Sequence, residues 1–113
     1  MFKIEAIIRP QRLEAVQEAL YESDILGLTT TEVRGTGRQR GITHTFRGSQ
    51  YANNLAPRVK VEVVVPDETL DAAIEAIQTG AFTGEVGDGK IFVSEMHEVI
   101  RIRTGERGSS AVS

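Results

Sequence analysis

Lys3-Ile4-Glu5-Ala6-Ile7-Ile8 reappears further along the chain as Lys60-Val61-Glu62-Val63-Val64-Val65, matched position for position in charge and apolar character. The match continues downstream, with Leu13-Glu14-Ala15 over Leu70-Asp71-Ala72 and Glu18-Ala19-Leu20 over Glu75-Ala76-Ile77. An internal repeat of this kind governs how everything around it is read. Phe2, Ile4, Ala6 and Ile8 alternate with Lys3, Glu5, Ile7 and Arg9, while Val59, Val61, Val63 and Val65 alternate with Arg58, Lys60, Glu62 and Val64. Period-two alternation rich in β-branched residues predicts a strand at the start of each half.

A helix follows each strand. Pro10 suits a first turn, where its missing N–H costs little. Leu13, Val16 and Leu20 then share one helical face, as do Leu70, Ile74 and Ile77. Asp67, after Pro66, is the expected N-cap of the second helix. Each half returns as a strand, from Leu28 to Arg34 and from Lys90 to Val93. Two β-α-β units in one sheet make an α+β fold of the ferredoxin-like, split βαβ kind. Two helices cover one sheet face, and the other mixes Lys3, Glu5, Lys60 and Glu62 with Ile7 and Val64. Without the central stretch and the tail, about 80 residues of scaffold remain, a size at which a single core is marginal. The open face is therefore expected to be buried by self-association.

Composition narrows the function. The chain has 113 residues, one domain by size. Thirteen Lys+Arg against sixteen Asp+Glu give a net charge of −3, which argues against a globally basic nucleic-acid binder. Cysteine is absent, which removes disulfides, thiol nucleophiles and thiolate metal sites. Apolar runs are short, Val63-Val64-Val65 being as long as any, so none spans a membrane. Met1-Phe2-Lys3-Ile4-Glu5 carries charge where a signal peptide needs an apolar core, so the chain is expected to be unprocessed and cytoplasmic.

Three segments lie outside the scaffold: Gly35 to Pro57, Gly80 to Gly89, and the tail after Met96. The second contains Thr83-Gly84-Glu85-Val86-Gly87-Asp88-Gly89-Lys90. Gly84 to Lys90 matches the opening of a G-x-x-x-x-G-K phosphate loop, but that motif needs Ser or Thr and a helix next, and here Ile91-Phe92-Val93 reads as a strand. Two readings stand: a connector that needs glycine for its turn, or a cradle where backbone N–H groups approach an anion beside Lys90. In the tail, Val99-Ile100-Arg101-Ile102-Arg103 alternates, which puts Arg101 and Arg103 on one side of an extended segment about 7 Å apart. Such a pair suits a polyphosphate or carboxylates, and equally a solvated edge strand. The long central stretch holds four glycines, Arg38, Arg40 and Arg47, with Phe46 and Tyr51 its only aromatics. It cannot pack a core of its own and is suited to move and to fold against a ligand or partner. The interleaved aromatics could serve RNA, but no strand shows the stacking pattern of an RNA-recognition sheet. His44, in this stretch, and His97, near a strand start, have no third ligand beside them for a metal. Glu95, Glu98 and Glu106 are scattered, with no carboxylate pair for acid–base work.

These segments carry a resemblance. Lys3 to Pro10, Thr31-Glu32-Val33-Arg34-Gly35 with Gly37-Arg38-Gln39, Arg47-Gly48 followed by Tyr51, Thr83 to Val93, and Ile100 to Gly108 are similar to segments of the PII nitrogen-regulatory signal-transduction family. The resemblance covers nearly the whole chain as a single domain, 1–113. It implies a homotrimer with ATP or ADP in each cleft between subunits, a flexible T-loop at 36–57, a B-loop at 82–90, and a C-loop and tail at 101–113. By that resemblance Arg38, Thr83, Gly87, Asp88, Gly89, Lys90, Arg101 and Arg103 bind the nucleotide, its phosphates above all, and Thr29, Glu62 and Val64 approach the adenosine. Gln39 helps hold Mg²⁺ and 2-oxoglutarate, with Arg9 and Arg58 nearby. Tyr51 matches a tyrosine that some members have nucleotidylated, and Ser49 a serine phosphorylated in others.

The function implied is a sensor, not an enzyme. ATP with Mg²⁺ recruits 2-oxoglutarate, ADP does not, and the T-loop conformation selects among partners such as an ammonium transporter, which recruits it to the membrane, a kinase of arginine synthesis or acetyl-CoA carboxylase. No nucleic acid is expected. The chain departs from the family at Arg58, usually Lys, at Phe82, usually Arg, and across Tyr51 to Ala56. The alternatives are a relative that senses AMP or bicarbonate, and a small nucleotide hydrolase, for which the chain offers no evident base or nucleophile.

Overall fold

In chain order the elements are β1 (Phe2–Ile8), α1 (Leu13–Glu22), β2 (Thr29–Gly35), the two-residue strands β3 (Thr45–Phe46) and β4 (Ser49–Gln50), β5 (Ala56–Val65), α2 (Leu70–Ala81) and β6 (Lys90–Glu95). Short 3₁₀ turns lie at Pro10–Arg12, Asp67–Thr69 and Gly108–Ala111. The structure is a computed structural model and describes residues 1–37, 45–46, 49–50 and 55–112, with backbone only at 45–46 and 49–50.

The two repeats lie side by side at the centre of the sheet. β1 pairs antiparallel with β5, Phe2 opposite Val65 and Ile8 opposite Val59. The strand order is β2-β5-β1-β6, with every neighbouring pair antiparallel. That is the ferredoxin-like arrangement expected from the repeat. β3 and β4 form their own small ladder within the central segment, Thr45 opposite Gln50 and Phe46 opposite Ser49.

Alternation decides the core. Ile4, Ala6 and Ile8 of β1 and Val59, Val61, Val63 and Val65 of β5 are buried beneath Val16 and Leu20 of α1 and Ala73, Ala76 and Ile77 of α2. Each large side chain so buried contributes about 1.5–3 kcal/mol. The helices approach closely because Gly80 offers no side chain: a Cβ there would lie 2.8 Å from the Val16 Cα. α1 ends on backbone bonds from Asp24 N–H to the Tyr21 carbonyl and from Ile25 N–H to the Leu20 carbonyl, the Schellman pattern, with Asp24 in the left-handed region at φ 62. Ile25 then returns to the core.

Several expectations are corrected. Asp67 is not an N-cap: it opens a 3₁₀ turn, no side chain caps that turn or α2, and its carboxylate pairs instead with the N-terminal ammonium. Gly80 and Ala81 belong to α2, not to the turn after it. The tail is not extended through Arg103, and His97 follows the end of β6 rather than starting a strand. Only Ile100 makes a bridge, to Arg107, and residues 102–104 turn. Gly105 N–H reaches back to the Arg101 carbonyl at 2.8 Å and Gly108 N–H to the Val99 carbonyl at 3.0 Å, both glycines at positive φ. Glycine turn chemistry overrides the alternation there, because no sheet remains for Ile100 and Ile102 to cover; Ile102 is wholly exposed. The strands themselves shift slightly, Thr29–Gly35 for Leu28 to Arg34 and Lys90–Glu95 for Lys90 to Val93. Among the described residues no helix is long and apolar enough to cross a membrane.

Candidate functional site

The glycine-rich turn joins α2 to β6 and is organised by one carboxylate. Asp88 accepts hydrogen bonds from the Thr83 hydroxyl, from Thr83 N–H at 2.8 Å and from Gly84 N–H at 2.9 Å. The Arg9 guanidinium, arriving from the end of β1, donates through Nε to Asp88 at 3.2 Å and through Nη2 to the Val86 carbonyl at 2.8 Å. The Thr83 hydroxyl first, then the Thr83 and Gly84 amides and Arg9, hold the Asp88 carboxyl well below the usual carboxylate range. The turn thus gains stability from an ionised Asp88. That gain is complete above the ordinary value of 3.8 and fades as pH falls through the depressed one. An NMR titration of the Asp88 carboxyl is expected to give a midpoint clearly below 3.8, moving upward in Arg9→Ala; an ordinary midpoint would contradict this hydrogen-bond set.

Gly84, Gly87 and Gly89 all have positive φ, at 89, 107 and 100, as a side-chain-free turn requires. Gly89 also meets the sheet directly, for a Cβ on it would stand 1.6 Å from the Ile7 carbonyl oxygen. Lys90 then opens β6 opposite Ile7. Arg58, beside Val59 in β5, sits at the same end of the sheet as Arg9 and Lys90, where the central segment leaves β2 at Gly35 opposite Ala56. Arg58 Nη1 donates to the Pro57 carbonyl at 2.8 Å.

On the open face Thr29 directly opposes Glu62, and Val64 lies on the same side two residues on. Glu62 belongs to a square of charges: Lys3 reaches Glu62 at 3.2 Å and Glu5 at 3.4 Å, and Lys60 reaches Glu62 at 3.3 Å and Glu5 at 3.8 Å. The hydrogen bond between Lys3 and Glu62 is the leading cause that raises the lysine's pKa and lowers the glutamate's. Phe92 stands on this face opposite Glu5 and is 54% exposed.

In the tail, Arg101 donates to Glu106 at 3.0 Å and to the Ser110 carbonyl at 3.2 Å, and Arg103 lies on the turn. The structure joins Arg9, Thr83 and Asp88 directly, brings Thr29, Glu62 and Val64 onto one face, and gives Arg101 partners within the tail. Arg38, Gln39 and Tyr51 lie outside the described residues, and Ser49 is described in its backbone alone. Sequence reasoning missed Glu106 as the counter-charge of Arg101. The signal was Gly105, which reverses the chain between them.

The pattern has close relatives across nearly all of this chain. The sequence matches the family described as Nitrogen regulatory protein P-II over residues 1–106. It is 56% identical to the nitrogen regulatory protein P-II of Rhizobium meliloti (strain 1021) and 54% identical to that of Azospirillum brasilense, each over 112 residues, covering 99% of this chain and 100% of the relative. Among solved structures it is similar to Arabidopsis thaliana PII bound to citrate, with a TM-score of 0.81 and 40% identity, covering 98% of this chain and 88% of that one. Repeat, sheet order and glycine-rich turn therefore meet in one conclusion: the chain belongs to the nitrogen regulatory protein P-II family.

Proposed function

We propose that the protein is a homotrimeric sensor of nitrogen and energy status. It binds ATP or ADP in clefts between subunits, takes 2-oxoglutarate beside Mg-ATP, and regulates partner proteins by contact through the T-loop, residues 36–57. The observation that carries this reading is the turn from Thr83 to Lys90, pre-formed by Asp88 and followed at once by a lysine at the sheet end. Positive-φ glycines beside a cation suit a polyphosphate. In this reading Gly87, Gly89, Lys90, Arg101, Arg103 and Arg38 face the phosphates, with Thr83 and Asp88 shaping the B-loop that holds them. Thr29, Glu62 and Val64 face the adenosine. Arg9, Gln39 and Arg58 hold 2-oxoglutarate, a dicarboxylate matched to guanidinium forks. The citrate bound to the Arabidopsis relative, also a polycarboxylate, supports that ligand class.

Among the described residues no group of three His, Cys, Asp or Glu side chains is placed to hold a metal ion. The reading therefore gives Mg²⁺ phosphate oxygens and water with the Gln39 amide oxygen, a shell of the all-oxygen kind this ion takes. The metal neutralises phosphate charge. The protein performs no chemistry of its own. Its open face, with Ile7, Val64 and Phe92 among paired charges, is where copies pack. It works in the cytoplasm on a transporter or a metabolic enzyme, and a transporter partner draws it to the membrane. Ser49 and Tyr51 are the positions open to modification.

Calorimetry with ATP, ADP and AMP, each with and without 2-oxoglutarate and bicarbonate, tests this. ATP and ADP are expected to bind, 2-oxoglutarate only with Mg-ATP, and Gln39→Ala is expected to abolish the 2-oxoglutarate response while sparing ADP. Binding of AMP alone, or a bicarbonate response, would replace the effector. A 2-oxoglutarate response intact in Gln39→Ala would remove the metal from that residue.

A further inference from the structure

Arg9 is held by the chain's own acceptors. Its Nε is bound to Asp88 and its Nη2 to the Val86 carbonyl, at 3.2 and 2.8 Å. The two charged side chains are each about a quarter exposed, 23% and 24%, so a ligand in solvent can reach the pair. A guanidinium presents its donors as one planar fork, and a fork engaged by one carboxylate is not fully available to another. Asp88 in turn ties the fork to the turn, because its other partners are the Thr83 hydroxyl and the Thr83 and Gly84 amides.

We propose that Asp88 is an internal carboxylate that holds Arg9 in the place of a ligand carboxylate, so that a bound dicarboxylate and the closed turn compete for one guanidinium. The inference rests on Arg9 as a 2-oxoglutarate contact and adds the regulation of that site. When the ligand takes the fork, Asp88 loses a partner, and the amides at the start of the B-loop lose part of what fixes them. Coupling of this kind is reciprocal: whatever tightens the turn around Asp88 weakens the dicarboxylate by the same factor. Asp88 is thus a positioning residue that acts through Arg9.

Two measurements test this. In the ligand-free protein, Arg9→Ala is expected to speed hydrogen exchange at the Thr83 and Gly84 amides by about fivefold or more, the lower end of common coupling factors. Exchange equal to the parent's would overturn the latch, whether or not any ligand binds. In the second, 2-oxoglutarate is titrated into Asp88→Asn at saturating Mg-ATP. Asparagine keeps an oxygen for the turn amides and drops the charge, and affinity is expected to rise about fivefold. Glu85→Gln is the control, since Glu85 lies on the same turn with no hydrogen bond or ion pair to Arg9 among the described contacts. A gain in Asp88→Asn no larger than in Glu85→Gln, or no gain, overturns the competition. Binding by Asp88→Asn but not by the parent would support the masking of Arg9 while refuting the parent's role as a 2-oxoglutarate sensor; binding by neither would refute both.

Discussion

Gly89→Ala is expected to lower stability by about 3 kcal/mol or more, combining the strain of a side chain at positive φ with overpacking against fixed backbone. The added Cβ would sit 1.6 Å from the Ile7 carbonyl oxygen and 2.8 Å from its carbon, at φ +100. Neither atom is the end of a flexible side chain. Relief requires β6 to leave β1 where Lys90 opposes Ile7, which unseats the turn as well. Against a total stability of about 5–15 kcal/mol such a loss shows plainly in a urea melt followed by circular dichroism. Gly105→Ala is the comparison: φ is also positive, at +74, but nothing lies within 4 Å, so only the strain remains. Equal losses in the two variants would mean that Gly89 does not meet the sheet as described.

The second large effect concerns binding. Lys90→Ala and Arg103→Ala are each expected to weaken ATP about 10- to 150-fold, the equivalent of losing a hydrogen bond to a charged group. The double variant is expected to lose roughly the product of the two, provided the residues share no partner. Neither side chain contributes to the buried core, so circular dichroism should report the same fold for each variant as for the parent. Calorimetric affinity unchanged in both single variants would move the phosphates away from the turn and tail.

The sheet was legible because alternation and repetition are local signals. Ile4, Ala6 and Ile8 against Val61, Val63 and Val65 exclude any register slipped by one residue, which would turn one strand's apolar side to solvent, and the observed register buries both on one face. The helical faces followed from Leu20 and Ile77 at the expected spacing. The tail misled because Ile100 and Ile102 alternate as in a strand, whereas Gly105 and Gly108, both at positive φ, turn the backbone back onto Arg101 and Val99. Asp67 misled because a cap preference yields to a charged partner distant in sequence, the Met1 ammonium. At the site, Thr83, Asp88 and Lys90 could be singled out from the string. That Asp88 faces inward to Thr83, Gly84 and Arg9 could not, since Arg9 is distant in sequence and is brought beside the turn by the β1–β6 pairing.

The square of Lys3, Glu5, Lys60 and Glu62 sums to zero, with unlike charges at neighbouring corners. An electroneutral checkerboard of this kind has no long-range field to repel its own image. Two such surfaces meet with plus over minus when one is a quarter-turn out of step with the other. Where copies pack through this face, as proposed, their contact is expected to tolerate ionic strength, since added salt finds little net field there to screen.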